Sequence, residues 1–507
     1  KNKHSNVVVA FKDNASIIDG EYINDYIVNI FNNELFPINK KYNYSYKAET
    51  HNFPTGICPF PGAETGVGGR IRDTLSCGKG GDIIAGTAGY CVGDILHDLY
   101  LEKGYENDYL NNLIHNKPLT ILIEASNGAS DYGNKIGEPI IQGFCRSYRG
   151  DFLNVNDKER IEYLKPIMFS GGIGRIYDKN SYKDNLNYGD LIIRIGGPAY
   201  RIGLGGGTAS SREQDDKNSK DDFNAVQRGD AEMASKLVRF IRKISYFDFI
   251  KSIHDQGSGG MANVSREISE PYGAKIFLDK ISLGDESLNT LEKWVAEYQE
   301  QISFIIEFQN YYTIKKLAEK ENLSLVIAGY INNSRKLEVI SKSEDIKPVD
   351  LPYFDTNKKH YSTEKPNKSL TYITENDNNN SLLEYLEVIL RDISVGSKQF
   401  LTNKVDRSVS GLIIQQQCVG PFQLPLSNYS IVTSGYNSTY GLLSSIGEQP
   451  IKGIKNDESV EKMVRMSLGE MLTNMIFVPI KSLDSINMVG NWMWSSIDNN
   501  DAFLLKK

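Results

Sequence analysis

Glycine spacing constrains this chain more than any other feature. Between Val7 and about Lys165, short apolar runs such as "NVVVAF", "LTILIEA" and "IIQGFC" alternate with glycine-rich turns. Runs this brief, bounded by turn residues, read as strands with helices between them and predict an α+β or α/β layer. At 507 residues, and about 100–200 residues per domain, the chain should hold roughly three domains.

A second α+β block is expected from "KPIMFSGG" to "VIAGYI". Its helical signals are "GDAEMASKLVRFIRKI" and "ESLNTLEKWVAEYQEQI", and the strands "GDLIIRIGG" and "ISFIIEF" flank them. From about Asn332 the chain turns polar and ends in "TENDNNNS", which reads as a linker because it buries too little apolar surface to order itself. A third block opens at Leu382 with the helix "LLEYLEVILRDI" and later carries the helix "ESVEKMVRMSLGEMLTNMIF". The expected domains are therefore 1–165, 166–345, a linker over 346–381, and 382–507.

Charge and cysteine narrow the function classes. A net charge of -7 argues against a nucleic-acid scaffold, which concentrates basic residues on one face. Cys58, Cys77, Cys91, Cys145 and Cys418 lie far apart with no CxxC pair, so neither a zinc site nor a disulfide framework is expected, and a cytoplasmic setting fits. No apolar run approaches the roughly 18 residues needed to span a bilayer, so no membrane partner is expected. The chain begins with Lys and ends in "DAFLLKK", and it is expected to be part of a larger polypeptide.

The chemistry concentrates in "KAETHNFPTG", Lys47 to Gly56. On an extended strand, alternation places Lys47, Glu49 and His51 on one face, and a cation, a carboxylate and an imidazole together make poor core material. His51 has three roles open to it: satisfied core histidine, metal ligand, or acid/base group and oxyanion stabiliser. Eleven residues later begins "GAETGVGGRIRD". Its glycines permit backbone conformations in which N–H groups converge on phosphate oxygens, with Arg72 and Asp73 as anion partner and hard metal ligand. It is neither a GxxxxGK[ST] loop nor a GxGxxG turn, and a plain tight turn is the competing reading. Asp255, in "IHDQGSGGMAN", is a further carboxylate ahead of a glycine turn. Glu470 and Asn474 lie four apart on a helix, where they would share a metal or form an exposed polar stripe.

Taken together, "KAETHNFPTGICPFPGAETGVGGRIRD", "ASNGASDYGNKIGEP", "KPIMFSGGIG", "RIGLGGGTASS", "DFNAVQRGDAEM", "IHDQGSGG", "TNKVDRSVSGL", "QQQCVGP" and "GNWMW" resemble the large single-chain phosphoribosylformylglycinamidine synthases, in order and over nearly the whole chain. The resemblance implies a tandem of two halves similar to aminoimidazole ribonucleotide synthetase. Each half has an α/β N-terminal and an α+β C-terminal domain, and the second half is expected to be incomplete here. It implies ATP-dependent conversion of formylglycinamide ribonucleotide to formylglycinamidine ribonucleotide through an iminophosphate, with glutamine-derived ammonia, in purine synthesis.

Carried over by position, His51 resembles the catalytic histidine. Lys47, Gly62, Ala63, Thr65, Gly66, Gly68, Gly69, Arg72 and Asp73 resemble ATP contacts. Thr50, Asn52, Arg72, Gln227, Glu297 and Gln299 resemble substrate contacts, and Glu49, Asp73 and Asp255 resemble magnesium ligands. Lys398, Glu470 and Asn474 match a second, noncatalytic site for a structural ADP with Mg2+. There the family's "PLAD" aspartate is replaced by Asn428 in "PLSN", and a neutral amide binds a hard cation less strongly than a carboxylate. The "SEHC" stretch and the glutaminase segment of the family are not found in these residues. Ammonia is expected from a glutaminase domain, and the other domains of the polypeptide are expected partners. A nonenzymatic homologue serving as a nucleotide-binding scaffold is the alternative.

Overall fold

The computed structural model describes residues 6–95, 116–154, 157–211, 219–351, 370–372, 381–450, 457–494 and 499–506. Of the expected linker, 352–369 and 373–380 lie outside the described residues.

A long antiparallel hairpin of β2 (Ser16–Val28) and β3 (Leu35–Thr50) follows the short β1 (Val7–Val9). With β4 (Asp82–Val92), β5 (Ile140–Ser147) and β8 (Ile167–Tyr177) these strands form a six-stranded sheet in the order β1-β2-β3-β8-β4-β5. A separate hairpin of β6 (Arg149–Asn154) and β7 (Asp157–Glu162) precedes β8. Only β4 and β5 pair in parallel here, and the crossover that parallel pairing requires carries a helix, Pro118–Ile136.

The expected boundary at 166 therefore moves. "IMFSGGIGRIY" belongs to the first sheet, inserted between β3 and β4. Its glycines are strand residues without room for a side chain: a Cβ on Gly172 would sit 2.6 Å from the Arg70 guanidinium.

One face of this sheet is covered by α1 (Asn52–Ile57), α2 (Pro59–Leu75) and α3 (Pro118–Ile136). On α2, Ala63, Val67, Ile71 and Leu75 recur every fourth residue and meet Ile121, Leu122, Ala125, Ala129 and Tyr132 of α3. "LTILIEA", expected as a strand-like run, is thus the first turns of a helix.

A second, seven-stranded sheet has the order β10-β12-β9-β13-β11-β14-β15, with β9 (Leu191–Gly196), β10 (Ser252–Asp255), β11 (Ala274–Phe277), β12 (Gln301–Ile306), β13 (Ser324–Ile331), β14 (Lys336–Ile340) and β15 (Val349–Asp350). Two helices of this block matter below, α4 (Gly206–Ser211) and α5 (Ala231–Ser245). The α5 side chains Leu237, Val238, Phe240, Ile241 and Ile244 share one core with β9, β12 and the helices of the first sheet. The helix expected across 286–302 stops at Val295, and Gln301 opens β12.

The third block lies on the opposite face of the first sheet. Leu412 and Val432 pack with Tyr44, Ile84, Ala85, Ile141 and Ile173, and the Ile140 N–H donates to the Asp406 carbonyl at 2.8 Å. Its long helix, α6 (Asp457–Asn474), matches the expected span. Among the described residues no helix is long and apolar enough to cross a membrane.

Candidate functional site

Strand β3 delivers the central residues. It ends at Thr50, paired with Phe169 of β8, and the turn into α1 is pinned by two bonds. The His51 N–H donates to the Met168 carbonyl at 2.9 Å, and the Met168 N–H donates to Asn52 Oδ1 at 2.9 Å. His51 Nδ1 lies 2.5 Å from the Gly62 carbonyl. A carbonyl only accepts, so Nδ1 carries the proton and Nε2 keeps its lone pair. Burial holds the imidazole pKa below its usual value, against the Gly62 bond and the Glu49 charge, which raise it.

The glycine run is a helix rather than a loop. Gly62 to Asp73 lie within α2, and none of Gly62, Gly66, Gly68 or Gly69 has a positive φ. Inside a helix each N–H bonds to the carbonyl four residues back, so these amides do not converge on a phosphate. What the glycines provide is closeness. A Cβ on Gly62 would lie 2.4 Å from the backbone of Pro54 and Thr55, one on Gly66 2.9 Å from His51 Cβ, and one on Gly68 2.7 Å from the Tyr132 hydroxyl. Ala63 and Thr65 are buried on the same helix, and the Thr65 hydroxyl donates to the Pro61 carbonyl.

The acidic residues expected to act together do lie together. Lys47 Nζ is 3.1 Å from Glu49 Oε1 and 2.9 Å from Asp73 Oδ2. Burial raises the Asp73 pKa well above the carboxylate range, and Asp255 and Glu49 raise it further, with Lys47 opposing. Burial alone would lower Lys47, but Asp73 and Glu49 outweigh it and hold the ammonium charged. Asp255, at the end of β10, accepts from Asn14 Nδ2 at 2.9 Å and faces Arg72 Nε at 4.0 Å. Among the described residues no group of three or more His, Cys, Asp or Glu side chains is arranged to hold a metal by itself. Lys47 supplies the balancing charge between two of these carboxylates. Mutually repelling carboxylate oxygens, those of Asp73 and Asp255 buried and those of Glu49 partly exposed, are nonetheless the donors a hard divalent cation prefers.

Gln227, Glu297 and Gln299 form a second buried group. Gln227 Nε2 donates to Glu297 Oε2 at 2.7 Å, and the Gly207 and Gly259 N–H groups donate to Glu297 Oε1 at 3.1 and 3.0 Å. The Gln299 amide donates to Gln227 Oε1. Gly259 needs its left-handed φ of 77° for this. Two of the glycine-rich stretches thus spend amides on an internal carboxylate. A small apolar cluster of Phe53, Ile57, Ala209, Ala225 and Val226 joins α1 to this segment.

Lys398, Glu470, Asn474 and Asn428 line a separate cavity of about 320 Å3 between β5 and the third block. Glu470 Oε2 accepts from the Glu448 N–H and from Gln449, both at 2.9 Å, and Asn474 donates to the Ile446 carbonyl. Glu470 and Asn474 are therefore a cavity wall rather than an exposed stripe. Sequence reasoning passed over Arg146 and Glu448, which pair in this wall. Burial pushes the Glu448 carboxyl up to about 7, with Arg146 opposing and Glu470 adding to the rise. Also missed were Tyr132 and Glu300, although Glu300 directly follows the selected "EYQ".

The two sheets and their helices have the fold of the AIR synthase related proteins. Residues 187–342 match the AIR synthase related protein, C-terminal domain family, and residues 397–506 match the FGAR-AT PurM_N-like domain family. In solved structures the same fold occurs in Thermotoga maritima PurL complexed with ATP (TM-score 0.59, 17% identity, 92% of this chain and 63% of that chain). It also occurs in PurLQS from Thermotoga maritima (TM-score 0.57, 17% identity, 90% of this chain and 62% of that chain).

The chain belongs to the phosphoribosylformylglycinamidine synthase family. It is 44% identical to the synthase of Dictyostelium discoideum over 97% of this chain and 37% of that protein. To the human synthase it is 41% identical, over 89% of this chain and 35% of that protein. The chain thus spans little more than a third of the length of these relatives.

Proposed function

We propose that this chain is the synthetase region that activates the amide of formylglycinamide ribonucleotide with ATP and exchanges its oxygen for ammonia. In this reading the formamide oxygen attacks the γ-phosphate, ADP leaves, and ammonia then displaces phosphate from the iminophosphate. The observation that carries it is the placing of His51, its Nδ1–H bonded to the Gly62 carbonyl, beside the Lys47–Glu49–Asp73 charge cluster at the end of β3.

Each residue has a task in that scheme. Phosphoryl transfer asks for positioning and charge neutralisation more than covalent chemistry. Magnesium held by Glu49, Asp73 and Asp255 would neutralise phosphate charge, and Lys47 would contact the same oxygens. With Nδ1–H spent on Gly62, His51 Nε2 acts as a base for the proton that ammonia sheds as its nitrogen bonds to carbon. That choice is supported over oxyanion stabilisation, which needs a donor at Nε2. Thr50, Asn52 and Arg72, with Gln227, Glu297 and Gln299 opposite, would orient the substrate.

The α2 residues Gly62, Ala63, Thr65, Gly66, Gly68 and Gly69 would shape the nucleotide site as a close-packed wall. Residues 382–507 would supply the incomplete N-terminal domain of a second synthetase-like half, and the cavity at Lys398, Glu470 and Asn474 would hold a noncatalytic ADP. Ammonia would come from a glutaminase domain.

The test is ATP hydrolysis dependent on formylglycinamide ribonucleotide, with ammonium chloride as nitrogen source, in the full-length protein and its His51→Ala variant. Turnover that collapses in the variant is expected. ATP binding without substrate-dependent turnover would instead support the scaffold reading.

A further inference from the structure

Resting on the reading above, in which Arg72 contacts the ribonucleotide, we propose that Glu300 is the positioning residue that aims Arg72 at the substrate. Arg72 is 2% exposed, and its side chain emerges from α2 between two acids. Nη1 donates to Glu300 Oε1 at 3.1 Å. Nε, however, has no hydrogen-bond partner among the described residues, and the Asp255 carboxylate oxygen it faces is 4.0 Å away. A buried guanidinium with one end tied and Nε unspent is set up to donate to something that arrives.

Glu300 is built to hold that end still. Its carboxylate also accepts from the Tyr132 hydroxyl at 2.9 Å and from the Asp230 backbone N–H. These donors come from α2, α3 and the N-cap of α5, so one side chain gathers three elements from both sheets' helices. The backbone beneath it is unusual. Glu300 has φ +57°, the left-handed region that residues with a Cβ avoid. The conformation is enforced from below: the Glu300 carbonyl accepts from the Gly197 N–H at 3.1 Å, and a Cβ on Gly196 would lie 2.1 Å from that carbonyl oxygen. Strain of this kind persists where surroundings over-determine it, and it clusters at ligand clamps. The same turn faces Gln299 toward Gln227. Hence the αL residue sets the direction of Glu300, and Glu300 sets the direction of Arg72.

Glu300→Gln keeps the shape and removes the charge. Glu300→Gly relieves the backbone strain and removes the anchor. Steady-state kinetics of the full-length protein, with formylglycinamide ribonucleotide and ATP varied in turn, separate the roles. Both variants are expected to raise the KM for the ribonucleotide about tenfold or more, the loss of one charged hydrogen bond, while the KM for ATP stays within about twofold. In Arg72→Lys, adding Glu300→Gln is expected to cost little more, because the two act as a unit.

A Glu300→Gly variant with wild-type KM would overturn the proposal and leave the residue a backbone feature. Both KM values rising in parallel would overturn it in favour of general disruption. If the unmutated protein shows no ribonucleotide-dependent turnover, the functional reading itself fails and this inference with it. Turnover with unaltered KM in both variants sinks the inference alone.

Discussion

Replacing Lys47 with Gln removes the cation that bridges Glu49 and Asp73. Its ammonium lies 2.9 Å from Asp73, with side chains 19% and 12% exposed, so the pair is mostly shielded from water. Removing one partner of a buried pair strands the other charge and costs about 3–5 kcal/mol; partial exposure sets the expectation at the lower end, about 3 kcal/mol near pH 8. Asp73 offers an escape, because burial, Asp255 and Glu49 already hold its pKa far above the ordinary carboxylate range. A carboxyl whose folded pKa is raised contributes stability below its unfolded pKa and loses it as pH climbs through the folded value. Without Lys47 that pKa rises further, so the variant's deficit should shrink toward acid.

Thermal unfolding of Lys47→Gln and the parent, at pH 6 and pH 8 and with and without magnesium, measures this. At roughly 2–4 °C per kcal/mol for a domain of this size, a deficit of about 6–12 °C is expected at pH 8 without magnesium. It should be smaller at pH 6. Magnesium, taking over the missing charge, should raise the variant's Tm more than the parent's. An equal deficit at both pH values, unmoved by magnesium, would refute the electrostatic account of this cluster.

Three further expectations are more local. Because burial lowers the His51 pKa from the usual imidazole value, the neutral base persists below neutrality. The acidic limb of kcat should therefore fall below pH 6.5, and it should disappear along with most of the rate in His51→Ala. Gly68→Ala gains up to about 1 kcal/mol of helix propensity but overpacks the buried Tyr132 at 2.7 Å, costing about 1–3 kcal/mol. A net loss in Tm, relieved in part by Tyr132→Phe, is expected, and a gain would contradict the packing described. Asn428→Asp adds an acid to the cavity that already holds Glu448 and Glu470. It should lower Tm in chelator and enlarge the stabilisation by magnesium with ADP, both read by thermal shift.

Local pattern made part of this molecule legible in advance. The alternation of Lys47 and Glu49 on one strand face, the helix at Ala231–Ser245 and the buried strand at Leu191–Gly196 all match the sequence reading. In each, a period or an unbroken apolar run reports directly on burial. Helix α2 was misread because glycine serves two ends that look alike in sequence, freedom to turn and freedom from bulk. The overlooked signal was the spacing of Ala63, Val67 and Ile71 beneath the glycines. Strand β8 was assigned to the wrong block because strand pairing is nonlocal, and nothing in "IMFSGGIGRIY" names its partners. The helix through "ESLNTLEKWVAEYQ" broke early because tertiary bonds to Glu297 and the αL turn at Glu300 overrode a favourable local period.

The contact between His51 and α2 also has a meaning in time. Exposed rings reorient in picoseconds to nanoseconds, but this imidazole is tied to the Gly62 carbonyl and walled at Gly66, on a helix threaded through the main core. Turning the ring over would require α2 to slide, and packed cores shift between discrete arrangements rather than yielding gradually. The ring's orientation, with Nδ1 toward Gly62, should therefore persist through turnover while protons come and go at Nε2.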